Sequence, residues 1–166
     1  MDRLSREILK DVLLDEIAPK PRRPRNPAAP QPVDHWSTPV LIERAAVLRK
    51  MAKLGNGSAS ETLKEYPRHA AMLSFRARSG EAEVHEKFAD VFYVLTGQAT
   101  LVTGGTVTGA RVVSPGETRG DGLEDGTRQE LRPGDVAHVP AGTPHQMLLA
   151  GDKTVTSLVV KIQEVD

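Results

Sequence analysis

The chain has no cysteine. Disulfide frameworks, thiolate-bound zinc and thiol nucleophiles are therefore excluded. Aromatic residues are scarce, with one Trp, two Tyr and three Phe among 166 residues, too few for a base-stacking platform. Neither sign of charge is in surplus, since 22 Lys and Arg face 22 Asp and Glu. A phosphate-backbone partner would call for a basic excess, so no nucleic acid is expected. Long apolar runs are missing, so no membrane span is expected. The first residues, Met1-Asp2-Arg3-Leu4-Ser5-Arg6-Glu7, are charged and lack the apolar core of a secretory signal. These absences lead to the expectation of a soluble cytoplasmic protein with one sizeable core.

What is present changes in texture along the chain. Leu4, Ile8, Leu9, Val12, Leu13 and Ile17 recur at helical spacing, so a helix is expected over 1–18. Six prolines follow between Pro19 and Pro32, which leaves only an extended linker. We therefore expect residues 1–33 to be a helix and Pro-rich linker. Residues 34–60 are expected to hold a second helix that packs on the main domain. Ser37 or Thr38 would cap it, Pro39 would open it and Gly55-Asn56-Gly57 would stop it. Its apolar side would be Val40, Leu41, Ala45, Val47, Leu48 and Met51. Residues 61–166 carry short Val-, Thr-, Leu- and Phe-rich runs between glycine turns, the pattern of a β-sandwich or barrel. The glycine-rich stretch 111–126 reads as including an excursion from that barrel.

With cysteine absent, the five histidines are the best available transition-metal ligands. Two lie in informative surroundings. Glu83 and His85 are two residues apart and share a face on a strand, whereas Asp90 has the opposite parity and would need a bend between 86 and 89. Further on, Pro133-Gly134 opens a strand, Pro140, Gly142 and Pro144 force a bend, and His145 begins the next strand. His138 can join a site, support it or face outward, the last being the default. Lys87 shares parity with His85 and could reach a cavity to hold an anionic group, although a solvated lysine is the commoner case. Arg119, Arg128 and Gln146 are polar groups near the expected mouth. Tyr93 alternates away from Asp90, and His35 and His69 have no partner pattern. Phe75, Phe88 and Phe92 read as packing residues.

These two segments resemble the two motifs of the cupin superfamily. Aligned on Gly97, the family's His-x-His…Glu positions fall on Glu83, His85 and Asp90. Gly134, Pro140, Gly142 and His145 match the second motif without a gap, and the likeness covers roughly residues 69–163. The resemblance implies a mostly β fold, a single antiparallel jelly-roll barrel or double-stranded β-helix, here with an N-terminal helical extension. It also implies a divalent metal (Fe, Mn, Zn or Ni) held by Glu83, His85, Asp90 and His145. The carboxylate-rich set favours Mn or Fe(II) over Cu. The second motif's Asn position is Leu149 here, so a supporting hydrogen bond is lost.

The resemblance further implies a metal-dependent enzyme on a small organic substrate, of isomerase, cyclase, lyase or dioxygenase type. Glu83, Asp90 or His138 would move the proton. The alternatives are a non-catalytic small-molecule or sugar-binding module, and a metal-free epimerase-like site in which His85 works with a carboxylate. A homodimer is expected by the same resemblance, because open sheet edges need covering.

Overall fold

The computed structural model describes residues 32–164. The helix expected over 1–18 and the Pro-rich stretch before residue 32 lie outside the described residues. The chain divides into a unit of residues 1–35 and one of residues 36–166, and the second carries all the described helix and strands.

One helix, α1 (Thr38–Leu54), precedes thirteen strands: β1 (Ser58–Glu65), β2 (His69–Arg76), β3 (Ala82–His85), β4 (Phe88–Gly97), β5 (Ala99–Thr103), β6 (Thr106–Thr108), β7 (Arg111–Ser114), β8 (Glu117–Gly120), β9 (Gly122–Glu124), β10 (Thr127–Leu131), β11 (Val136–Val139), β12 (His145–Leu148) and β13 (Val155–Gln163). Five strands form one sheet in the order β1-β2-β13-β4-β11. Six form a second in the order β10-β5-β12-β3-β8-β7, and β6 pairs with β9. Every strand pairing is antiparallel. The strands hydrogen-bond as separate sheets, with no continuous closed ring among the described residues.

Ser37 occupies the N-cap of α1, Pro39 lies in its first turn, and the Gly55 N–H donates to the Met51 carbonyl at its end. Leu41, Ala45, Leu48 and Ala52 form the buried stripe. Val40, Val47 and Met51, expected on the apolar side, are exposed instead. The reason is helical phase: at about 100° per residue, the stripe that faces the sheet runs through 41, 45, 48 and 52. It covers Leu73 and Phe75 on β2, with Trp36, Ala59, Leu63 and Leu95 around them. Phe75 is 1% exposed, and the Arg49 guanidinium lies 5.4 Å from its ring centroid. Phe75→Ala should therefore cost about 3–5 kcal/mol, measured by urea unfolding. A loss below about 1 kcal/mol would show that this layer is not a packed core.

The opposite face of β2 presents Met72, Ser74 and Arg76 to a cavity shared with the six-stranded sheet. The chain reaches both sides of this space because it alternates between sheets. It crosses after β2, after β3, after β4, and again between β10, β11, β12 and β13. Gly97 makes the crossing from β4 to β5 at φ +78°, and a Cβ there would sit 1.9 Å from the Thr154 carbonyl oxygen. Apolar residues, among them Val94, Leu101, Leu131, Val139, Met147 and Val155, pack as a cluster between the sheets. The polar residues gather in the remaining cavity.

The 111–126 stretch leaves the two main sheets only in part, where β9 pairs with β6 outside both. It contains β7, β8 and β9, and the first two extend the six-stranded sheet beside β3. Its Pro115-Gly116 turn signal is real, but it joins two short paired strands instead of marking a departure from the sheet.

Candidate metal centre

On the six-stranded sheet, register places the site residues in rows. His145 on β12 lies opposite Glu83 on β3, Glu83 lies opposite Arg119 on β8, and His85 lies opposite Glu117. Directly opposed residues share a face, so all five line the cavity. From the other sheet come Asp90 on β4 and Lys161 on β13, themselves a register pair. The parity conflict between His85 and Asp90 disappears because the turn at 86–87 carries the chain from one sheet to the other. The two motif segments are also tied together directly, since the Gly142 N–H donates to the His85 carbonyl at 2.8 Å.

His85 and His145 are each 4% exposed, and their ring centroids are 5.2 Å apart. His85 Nδ1 lies 2.5 Å from Glu117 Oε2, and His145 Nδ1 lies 3.1 Å from the Thr143 carbonyl. Both partners can only accept, an ionised carboxylate and a carbonyl, so each Nδ1 carries the hydrogen and donates it. That leaves the two Nε2 atoms facing inward, buried and without a hydrogen-bond partner. Asp90 Oδ2 lies 3.3 Å from His85 Nε2 and 3.5 Å from His145 Nε2. Glu83 Oε2 lies 3.4 Å and 4.0 Å from the same two atoms. Ligating atoms of Glu83, His85 and His145 all fall within 4.8 Å of one another.

Each carboxylate uses its other oxygen elsewhere. Glu83 Oε1 pairs with Arg119 and lies 3.5 Å from Arg76, while Asp90 Oδ1 pairs with Lys161 at 3.0 Å. Burial alone would raise the Glu83 carboxyl, but the nearby His85 ring and the Arg119 and Arg76 charges outweigh it and bring it down to about 2. Asp90 is likewise held well below the usual carboxylate range: the adjacent His145 and His85 rings and the Lys161 charge overcome its burial. Burial would lower His85, yet the adjoining Asp90 and Glu83 carboxylates raise it to about 9.

A pH dependence follows for the metal-free protein. The folded value of His85 lies above its ordinary 6.5. Its contribution to stability is therefore fully present below pH 6.5 and is lost as the pH rises through about 9. The size is of order 3 kcal/mol. Thermal unfolding of chelator-treated protein should fall across that window, and His85→Gln should flatten the fall. Parallel profiles for the two proteins would refute this assignment.

Some expected residues lie elsewhere. His138 is 51% exposed and 3.5 Å from Glu164. Register pairs it with Val91 while the inward Asp90 pairs with Val139, so His138 belongs to the outer face and is no candidate proton carrier. Lys87 and Arg128 are exposed and do not line the cavity. Arg119 and Gln146 do line it, and Gln146 Nε2 donates to the Gly80 carbonyl at 2.9 Å. Of the phenylalanines, Phe75 is core, Phe92 lines the cavity and Phe88 lines a separate surface pocket. Sequence reasoning missed Glu117, Arg76 and Lys161. Arg76 and Lys161 sit on inward-facing positions of alternating strands, a signal present in the pattern. Glu117 was hidden by the turn residues before it.

No protein-family model matches this chain, and no curated protein matches it significantly. Solved structures similar to it include the polyketide cyclase RemF from Streptomyces resistomycificus, at 20% identity and a TM-score of 0.47. That match covers 64% of this chain and 65% of the cyclase, just under two thirds of its length. A cupin superfamily protein from Desulfitobacterium hafniense is 21% identical with a TM-score of 0.46, over 66% of this chain and 80% of that one. An uncharacterized conserved protein with a double-stranded β-helix domain from Klebsiella pneumoniae is 17% identical with a TM-score of 0.49, again over 66% and 80%. Cupin-type structures are thus among those this chain resembles. Likeness this distant says nothing of substrate or reaction.

Proposed function

We propose that this protein is a cupin-type metal protein that acts as an enzyme on a small organic molecule. The two sheets would be the halves of one jelly-roll barrel. His85, His145, Glu83 and Asp90 would hold a divalent ion. The observation that carries this reading is the pair of buried Nε2 atoms, neither in hydrogen-bond geometry, aimed at a spot that two ionised carboxylates also face. Buried polar atoms rarely go unpaired, and an ion there would satisfy all four groups at once. Two imidazoles and two carboxylates suit Mn, Fe(II), Zn or Ni. When bound, the ion would supply Lewis-acid polarisation of a substrate oxygen.

The chain's own residues would do the rest. Glu117 holds the His85 ring in the tautomer that presents Nε2. Arg76 and Arg119 keep Glu83 ionised, and Lys161 does the same for Asp90. Whichever carboxylate is left unbound by metal is the candidate for moving a proton. The cavity of about 360 Å³ admits a small molecule, and Met72, Phe92, Met147 and Val159 give it apolar walls.

The test is to strip the protein with chelator, titrate Mn(II), Zn(II), Ni(II) and, anaerobically, Fe(II), and measure bound metal. About one ion per chain is expected for at least one metal. Uptake of none would overturn the reading. Stabilisation by sugars or metabolites without any metal would favour the non-catalytic binding module instead. A homodimer belongs to the same proposal: β7 is an edge strand with Val112 and Val113 exposed, and light scattering would report the pairing.

A further inference from the structure

We propose that the cavity is built for a small dicarboxylate, one of whose carboxylate groups is gripped by Arg76 and Arg119 beside the ion. The inference rests on the metal reading above and adds the substrate class.

The argument begins with charge. Three cationic side chains, Arg76, Arg119 and Lys161, face the cavity, and so do three acids, Glu83, Asp90 and Glu117. These cancel. A divalent ion bound through neutral imidazoles then leaves a net charge of about +2 inside a partly enclosed space. Charge in such an enclosure is poorly screened, so a dianion is drawn in and held, while a neutral sugar would leave the excess standing.

Geometry indicates which cations do the gripping. Lys161 is committed to Asp90 at 3.0 Å. The two arginines reach toward the same Glu83 oxygen from opposite sheets, Arg76 from β2 and Arg119 from β8. A guanidinium has five donors in a planar fork, so pairing with one carboxylate oxygen leaves donors free to take a second carboxylate. Both side chains are partly exposed, at 25% and 29%. The apolar surface of Met72 and Phe92 would face the carbon skeleton between the acid groups.

The experiment uses the full chain loaded with Zn(II), with zinc content measured on every sample. Binding of malonate and succinate is compared by calorimetry with their neutral diamides, malonamide and succinamide. At least one dicarboxylate should bind more than about tenfold tighter than its diamide. Arg76→Gln should weaken that binding about tenfold when compared at equal measured zinc occupancy. Arg119→Gln makes the same test from the other sheet should Arg76→Gln fail to fold. Full zinc occupancy with equal binding of diacid and diamide would overturn this inference alone. So would tight diacid binding that both arginine variants leave unchanged, because the ion would then be the only grip. Failure to take up zinc or any other divalent ion would bring down the metal reading and this inference with it.

Discussion

Replacing His85 or His145 by alanine is expected to weaken divalent-metal binding by more than about a hundredfold. Each substitution removes one of the two inward Nε2 atoms, and the neighbouring carboxylates cannot cover the gap. Glu83 Oε1 is already tied to arginine and Asp90 Oδ1 to lysine, so neither side chain is free to swing across. His138→Ala is the control. It removes an imidazole from the same chain and the same second motif, but from an outer-face position half exposed to water. Metal analysis of the three variants beside the unaltered protein should show loss in the first two and full content in the third. Equal metal in all four samples would mean that ions bind adventitiously elsewhere.

Asp90→Ala should have the largest effect on stability of any substitution in the cavity. Asp90 is 4% exposed and lies within 3.5 Å of three potential cations, Lys161, His85 and His145. Taking away the anion leaves a part-buried ammonium facing an imidazole that the same anion helps keep protonated. Breaking one side of a buried ion pair in this way costs about 3–5 kcal/mol. The measurement is urea unfolding at pH 7 in the presence of chelator, so that metal binding does not contribute. Pairing the change with Lys161→Met should recover part of the loss, because the stranded charge goes with it. A single variant within about 1 kcal/mol of the parent would show that water, and not Asp90, solvates Lys161.

The two motif segments were legible because each is local. Glu83-x-His85 needs only the period of a strand, and Pro140-x-Gly142-x-x-His145 needs only the stiffness of proline and the freedom of glycine. The β-rich texture of residues 61–166 was readable for the same reason, since apolar runs and turn residues act over a few positions. Asp90 showed the limit of such reading. Within one strand its parity was wrong, and only a crossing between sheets brings it to face His85. The helix face was misjudged by a similar margin. Leu41 and Val40 are both apolar, and which of them is buried depends on where the sheet lies. Glu117 shows the remaining gap. Four strand residues after a Pro-Gly turn look like loop, and nothing in their order says that β8 will lie beside β3.

The linear order of residues thus determined the type of elements, the lack of any thiol, and the two imidazoles with an acidic neighbour. Tertiary structure decided which charges meet. Arg76, Glu83 and Arg119 converge, as do Asp90 and Lys161, through strand register and the alternation between sheets. The physical reason is reach. Patterning and turn preferences extend over a few residues, whereas the field at a metal centre is summed over side chains that are close in space and as much as 85 positions apart in the chain, as Arg76 and Lys161 are.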